Sequence, residues 1–410
     1  MPCRLLARMS PSFFLLSFLF LSAAPLSRSA RAMEDVPPTL LQDSLAHFDS
    51  LTRALRWRAP WRPSLQLVSA AELGRYAVTR ARRERARVQR QREAELLQLL
   101  GAFDAPSDYF ESYAQLFSRA AGGAYDPEAR RILIRADLVP EARAEVIHHE
   151  LFHAAQDAAW GLTERLQSEA LSYDERLALI AFFEADATLS AGWRPGHAWT
   201  LPAASEIDAI GLQIATGGAA ALAGRVPPYL QRLFIASYQE GLHLFARWRR
   251  QGMSWRAIRA RYQSPPRSSA TLLSPSLESS FTPPPRWPLE LSIAESLWSS
   301  SLGRLHWRAL LSEGEGHLTA AALTRGWRGD EARLLRGTAG RYACVSARWE
   351  SPLAARNFGD ALRRHGQRSG RPLTLNLRDT ALALCVGPAS EERALLTSAL
   401  LTQTPPTDLE

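Results

Sequence analysis

Apolar residues recur at helical spacing through much of the chain. An amphipathic segment from Leu41 to Leu55 is followed by a short strand candidate at Leu65 to Val68. Arg80 to Arg92 then alternates Arg with Ala, Glu, Val and Gln ahead of Leu96, Leu97, Leu99 and Leu100, which reads as a helix with a solvated face. Gly122-Gly123 breaks the pattern. Arg131-Ile-Leu-Ile-Arg135, after Asp126-Pro127, reads as a brief strand, and Pro140 suits the first turn of the helix that follows. Helical periodicity returns at Arg176 to Ser190 and at Pro228 to Arg250. The Pro- and Ser-rich stretch from Ser264 to Pro288 is the best linker candidate. Beyond it, helical patterns from Leu289 to Gly326 give way to strand-like alternation around Cys344 and Cys385 and at Leu373 to Leu377, and Glu391 to Leu401 closes the chain as a helix. There is no internal repeat.

The order of elements predicts a mainly α (α+β) protein: a helical catalytic unit with a short edge sheet, then a C-terminal α+β domain. The expected division is a leader over 1–32, an N-terminal helical lobe over 33–124, the catalytic domain over 125–275, a linker over 276–288 and the C-terminal domain over 289–410.

At the N-terminus, Arg4 and Arg8 precede an apolar run from Phe13 to Ala24, and small and polar residues lead to Ala30-Arg31-Ala32. That order is the one of a secretory signal peptide, with cleavage before Met33, and the run is short for a membrane span. The mature protein is therefore expected in the periplasm or secreted, with no stable membrane insertion. Cys3 leaves with the leader. Two cysteines remain, Cys344 and Cys385, in strand-like surroundings and in a compartment that permits disulfides; a bridge between them is expected, buried free thiols being the alternative.

With 46% hydrophobic and 22% charged residues in 410, the chain is neither disordered nor fibrous. Its net charge is +8, and all 49 cationic side chains are arginine, since the sequence has no lysine; they are spread along the chain rather than gathered into an arm. No nucleic-acid partner is expected. Arg328-Gly329-Asp330 spells an adhesion tripeptide and is read as a chance match.

The chemistry concentrates in Ile147-His148-His149-Glu150-Leu151-Phe152-His153-Ala154-Ala155-Gln156-Asp157. On a helix, His149 and His153 are four apart, so both imidazoles leave one face and can hold a single Zn²⁺. Glu150, rotated by about 100° from His149, is placed to take a proton from water rather than to ligate. His148 points elsewhere and reads as packing or as support behind the ligands rather than as a ligand. Asp157 can hold a histidine Nδ1 or cap the helix, with plain solvation the equal alternative. A third ligand six residues beyond His153, after a glycine, is ruled out because Ala159 and Gln156 stand there. Glu184 is a lone carboxylate amid apolar residues, with Asp186 at a different angle; such a group needs a partner, and a metal would serve.

These motifs resemble the gluzincin metallopeptidases, and in particular a family of exported bacterial proteins that pairs an HExxH helix ending in Gln-Asp with a later Glu-Gly-Asp-Ala-Thr. The counterparts here are His149 to His153 with Gln156-Asp157, and Glu184-Ala185-Asp186-Ala187-Thr188, with Ala185 in place of Gly. Gly123-Ala-Tyr-Asp-Pro127, Ser237-Tyr-Gln-Glu-Gly241, Pro265-Pro-Arg-Ser-Ser269 and Gly326-Trp-Arg-Gly-Asp330 are similar to further family segments, so the likeness covers most of the mature chain. The resemblance implies that Glu184 is the third zinc ligand, with Asp186 supporting the site from outside the ligand set. The family follows its proline pair with Ser-Thr-Glu-Gln and a His-Pro, where this chain has Ser268-Ser-Ala-Thr271 and Ser274-Pro275.

The resulting expectation is an exported zinc-dependent metallopeptidase acting on a peptide or protein substrate. Glu150 is its general base and Tyr238 a candidate donor to the carbonyl oxygen; a packed tyrosine is the plainer role for Tyr238. The change at Ser274 predicts slow turnover. A zinc-binding or metal-free envelope protein that keeps the fold for recognition is the alternative.

Overall fold

The opening amphipathic segment folds as α1 (Pro38–Leu55), with Phe48 and Leu51 on its buried side. β1 (Ser64–Val68), α2 (Ala70–Arg83), α3 (Arg87–Leu99) and α4 (Pro106–Arg119) complete the N-terminal part. The structure, a computed structural model, describes residues 36–83, 87–168, 170–274 and 294–404. The leader lies outside these residues, and so do 276–288, the expected linker.

β2 (Gly123–Asp126) and β3 (Arg131–Arg135) join β1 in a three-stranded sheet of order β1-β3-β2, with β1 parallel and β2 antiparallel to β3. α5 (Pro140–Trp160) crosses this sheet, and Val146, Ile147, Leu151 and Phe152 pack with Phe48, Leu51, Ile132 and Ile134 in one core. A strand and a helix of the N-terminal lobe are thus structural parts of the unit that carries the histidines. α6 (Leu162–Gln167), α7 (Tyr173–Ser190), α8 (Ala204–Leu222), α9 (Pro228–Arg250), α10 (Trp255–Ala260) and α11 (Ser269–Leu273) follow. α8 has no counterpart in the periodicity reading. Its buried positions, Ile207, Gly211, Ile214, Gly218 and Leu222, include two glycines that give no hydrophobic signal.

The rest of the chain forms a five-stranded antiparallel sheet of order β4-β5-β6-β8-β7, from β4 (Glu295–Ser300), β5 (Trp327–Arg336), β6 (Arg341–Trp349), β7 (Leu373–Arg378) and β8 (Ala381–Val386). α12 (Arg304–Glu315), α13 (His317–Leu323), α14 (Pro352–Arg368) and α15 (Ser390–Gln403) pack around it. The architecture is mainly α with small sheets, as the order of elements predicts. Two expectations are corrected. Residues 295–300 are a strand rather than part of a helical run; a register shift between Ser296 and Trp298 breaks the alternation that would have marked it. The stretch from Ser264 is not linker up to residue 274, because Ser268, Ser269 and Leu272 are fully buried.

Those serines explain the Pro265-Pro-Arg-Ser-Ser269 motif. The buried carboxylate of Asp174, at the start of α7, accepts from Ser268 Oγ (2.5 Å), from the Ser269 amide (2.9 Å) and from the Ser269 hydroxyl. Asp330 ends the other motif and is equally buried. It accepts from the Leu302 and Gly303 amides (2.7 and 3.0 Å) and from both indole N–H groups of Trp307 and Trp327 (2.7 and 2.9 Å). A carboxylate enclosed in this way cannot serve a surface adhesion tripeptide.

Cys344 and Cys385 are direct partners in the β6–β8 ladder, with Cα atoms 4.1 Å apart and the sulfurs at bonding distance. The bridge closes a loop with a sequence separation of 41. In the chain-entropy account that closure contributes about 4 kcal/mol. Replacing both cysteines with alanine is expected to lower the free energy of urea unfolding by up to that amount, and two alkylatable thiols in unreduced, denatured protein would contradict the bridge. No helix among the described residues is long and apolar enough to cross a membrane.

Candidate metal centre

α5 starts at Pro140, where no N–H is required, and ends at Gly161 in the left-handed conformation. Its apolar residues face the sheet and α1, which leaves the stripe with His149 and His153 facing α7. α7 is started by a reciprocal cap between Ser172 and Glu175 and carries Glu184 half-way between its buried neighbours Phe183 and Ala185. The packing of α5 on α7 thus brings together three groups that lie 35 residues apart at most.

The three donor atoms converge. His149 Nε2 and His153 Nε2 are 3.0 Å apart, and Glu184 Oε2 lies 3.2 Å from the first and 3.3 Å from the second. Donors bound at about 2.0–2.1 Å to a tetrahedral ion are about 3.3 Å from one another, so the triangle has the spacing that one face of such a site requires. Two imidazoles and a carboxylate are a donor set for a divalent first-row ion. Among the described residues this is the one group of three or more His, Cys, Asp or Glu side chains so arranged.

Burial opposes the charged form of His153, but the Glu184 carboxylate outweighs it and lifts the imidazole to about 9. Glu184 pays the same burial penalty and is nevertheless held well below the usual carboxylate range by the two histidines. Glu150, 8% exposed, is pushed up by burial against the pull of His149 and His153, and the Tyr125 backbone N–H supports its charged form. A metal needs the His153 lone pair, so at neutral pH it must displace a proton. Affinity is therefore expected to rise close to tenfold per unit from about pH 7, and to level off once the pH passes the raised value near 9. Titrations of Zn²⁺ against a competing chelator across this range would show it, and a flat profile would contradict the His153–Glu184 pairing.

Tyr238, on α9, is half-buried and hydrogen-bonds to Glu184, with Glu150 near; burial and both carboxylates hold its phenol well above the usual range. Gly241 makes this approach possible. A Cβ there would lie 1.9 Å from the Ala181 carbonyl oxygen, so α9 can cross α7 this closely only without a side chain. Gly241→Ala is expected to cost about 1–3 kcal/mol of stability by forcing the helices apart. An unchanged urea midpoint would argue against the contact.

The remaining sequence-named residues fall as follows. His148 stacks on His47, ring centroids 3.8 Å apart, and burial pushes it down to about 3, so it packs rather than ligates. Asp157 accepts from the Tyr125 hydroxyl (3.0 Å) and the Thr163 amide (2.7 Å), and so takes the capping role, at the start of α6. Asp186 is fully buried and reaches the site only through intermediaries: it accepts from the Tyr262 hydroxyl (2.7 Å), Ser190 Oγ (3.2 Å) and Arg259 Nη2 (3.3 Å). Ser274 closes α11, which is tied to Asp174 and, through the Leu272 carbonyl, to Arg247. Asp174 stands ten residues, about 15 Å of helix, from Glu184.

Sequence reasoning missed three contributors: Gln156 as a partner of His153, and Tyr262 and Arg259 altogether. Gln156 had a signal, as a polar residue three positions beyond His153 on a helix face otherwise made of Ala, Leu and Phe. The others come from segments distant in the chain and had none. Comparison of the chain with protein-family models, with curated proteins and with solved structures finds no match.

Proposed function

We propose that the chain is an exported, zinc-dependent metallopeptidase of the gluzincin type that hydrolyses peptide bonds. The observation that carries this reading is the convergence of His149, His153 and Glu184 beside a buried carboxylate, Glu150, that belongs to none of the three metal-donor pairs. A site built only to hold an ion has no use for such a group. Zinc, when bound, supplies a Lewis acid that makes water a nucleophile at neutral pH.

The chain's own residues then have defined tasks. Glu150 accepts the proton of the attacking water as its oxygen bonds to the scissile carbonyl carbon, and it returns that proton to the amine nitrogen as the C–N bond breaks. Burial raises the proton affinity of Glu150, which favours its taking the proton from the attacking water. Tyr238 stays protonated, and its hydroxyl, which donates to Glu184 in the substrate-free site, turns to the carbonyl oxygen as charge develops there. Its position against Glu184 favours Tyr238 over the Ser274 segment for this task. Denatured casein is the test substrate: cleavage that stops with a chelator and returns with Zn²⁺ supports the reading, and cleavage indifferent to chelator opposes it.

A further inference from the structure

The two histidines of the site differ in one respect. Nδ1 of His149 is buried with no hydrogen-bond partner among the described residues, whereas Nδ1 of His153 meets Gln156 Oε1 at 2.7 Å. Gln156 is fully buried, and its Nε2 donates to the Phe183 carbonyl (3.1 Å) and to the Tyr262 hydroxyl (2.7 Å). Tyr262, also fully buried, donates in turn to Asp186 Oδ2 at 2.7 Å.

Each proton in this chain has one possible place. A carbonyl oxygen only accepts, so the amide edge facing Phe183 must be the NH₂. The amide oxygen therefore faces His153, and because that oxygen also only accepts, the proton between them sits on Nδ1. A neutral imidazole protonated at Nδ1 keeps its lone pair on Nε2, the atom 3.3 Å from Glu184. The second amide hydrogen occupies the Tyr262 oxygen, so the Tyr262 proton goes to Asp186. Arg259 donates to both oxygens of that carboxylate, and Ser190 Oγ donates to Oδ1.

We propose that Gln156, Tyr262 and Asp186 form a positioning relay that fixes His153 as the Nδ1–H tautomer and aims its Nε2 at the bound ion. The inference rests on the metal-site reading above. Gln156 does more than orient one ring. The carbonyl it holds belongs to the residue just before Glu184, so one amide ties the second ligand on α5 to the backbone of the third on α7. The Asp186 carboxylate accepts from Tyr262 and so keeps that hydroxyl from donating toward Gln156. His149 has no such device, and its Nδ1 is the built-in comparison.

The test is the equilibrium affinity for Zn²⁺ and for Co²⁺, measured by chelator competition, together with the visible absorption of the Co²⁺ form. Gln156→Leu is expected to weaken Zn²⁺ binding about 10- to 100-fold and to alter the cobalt band, as loss of an outer partner of a ligating histidine does. Tyr262→Phe keeps the aromatic packing and the bond from Gln156 to Phe183, and is expected to weaken binding roughly three- to tenfold. If Gln156→Leu does not fold, Tyr262→Phe decides alone. Folded variants that bind Zn²⁺ as tightly as wild type overturn the relay and leave the metal site standing. Weaker binding with an unchanged cobalt band also overturns it, since that pattern marks general loosening. A wild type that binds neither ion overturns the site and the relay with it.

Discussion

Glu150→Gln is expected to lower turnover by about 10² to 10⁴ while leaving zinc content unchanged, because the substitution removes a general base and no ligand. The two side chains have the same shape, and the amide oxygen can still accept from the Tyr125 backbone N–H that supports Glu150. The measurement is cleavage of a quenched peptide library by both proteins at equal metal loading. Residual activity near the wild-type rate would mean that another group takes the proton. Loss of zinc from the variant would mean that Glu150 is a ligand, and the assignment of roles along α5 would have to be redrawn.

Glu184→Gln has the second large effect, and it reads out even without metal. Glu184 supplies the one negative charge among the three donors and holds both histidines through Oε2. Its amide is a poor ligand for a divalent ion, so affinity is expected to fall by at least about 10²-fold. In the metal-free protein the same change removes the group that lifts His153 to about 9. Burial then acts unopposed by Glu184, and the imidazole is expected to titrate well below that value. Metal content and the His153 proton titration by NMR give independent readings. If both match wild type, Glu184 is not part of the centre.

The site was legible in the sequence wherever a single helix carries it. The four-residue spacing of His149 and His153 fixes one face, and the offset of Glu150 follows from the same helical geometry. Glu184 stood out as a carboxylate among apolar residues, but its pairing with the histidines depends on how α7 packs on α5, which no local pattern records. Tyr238 was nameable only through the likeness of Ser237-Tyr-Gln-Glu-Gly241 to a family segment; the crossing at Gly241 that brings it to Glu184 is a tertiary fact. Tyr262 and Arg259 lie 76 and 73 residues beyond Asp186 and look, in sequence, like any aromatic and any arginine. In the fold, β4 was hidden by its bulge and α8 by its glycines. The serines after Pro266 read as linker because composition counts hydroxyls as solvent-facing, whereas Ser268 and Ser269 satisfy a buried carboxylate.

The most direct test of the account is a titration of metal-free protein with Zn²⁺ while peptide cleavage is followed. Turnover is predicted to rise in proportion to added zinc up to one equivalent per chain and then to stay level, with Glu150→Gln binding the same equivalent and remaining silent. Full zinc loading without cleavage, or cleavage that does not depend on zinc, would contradict it.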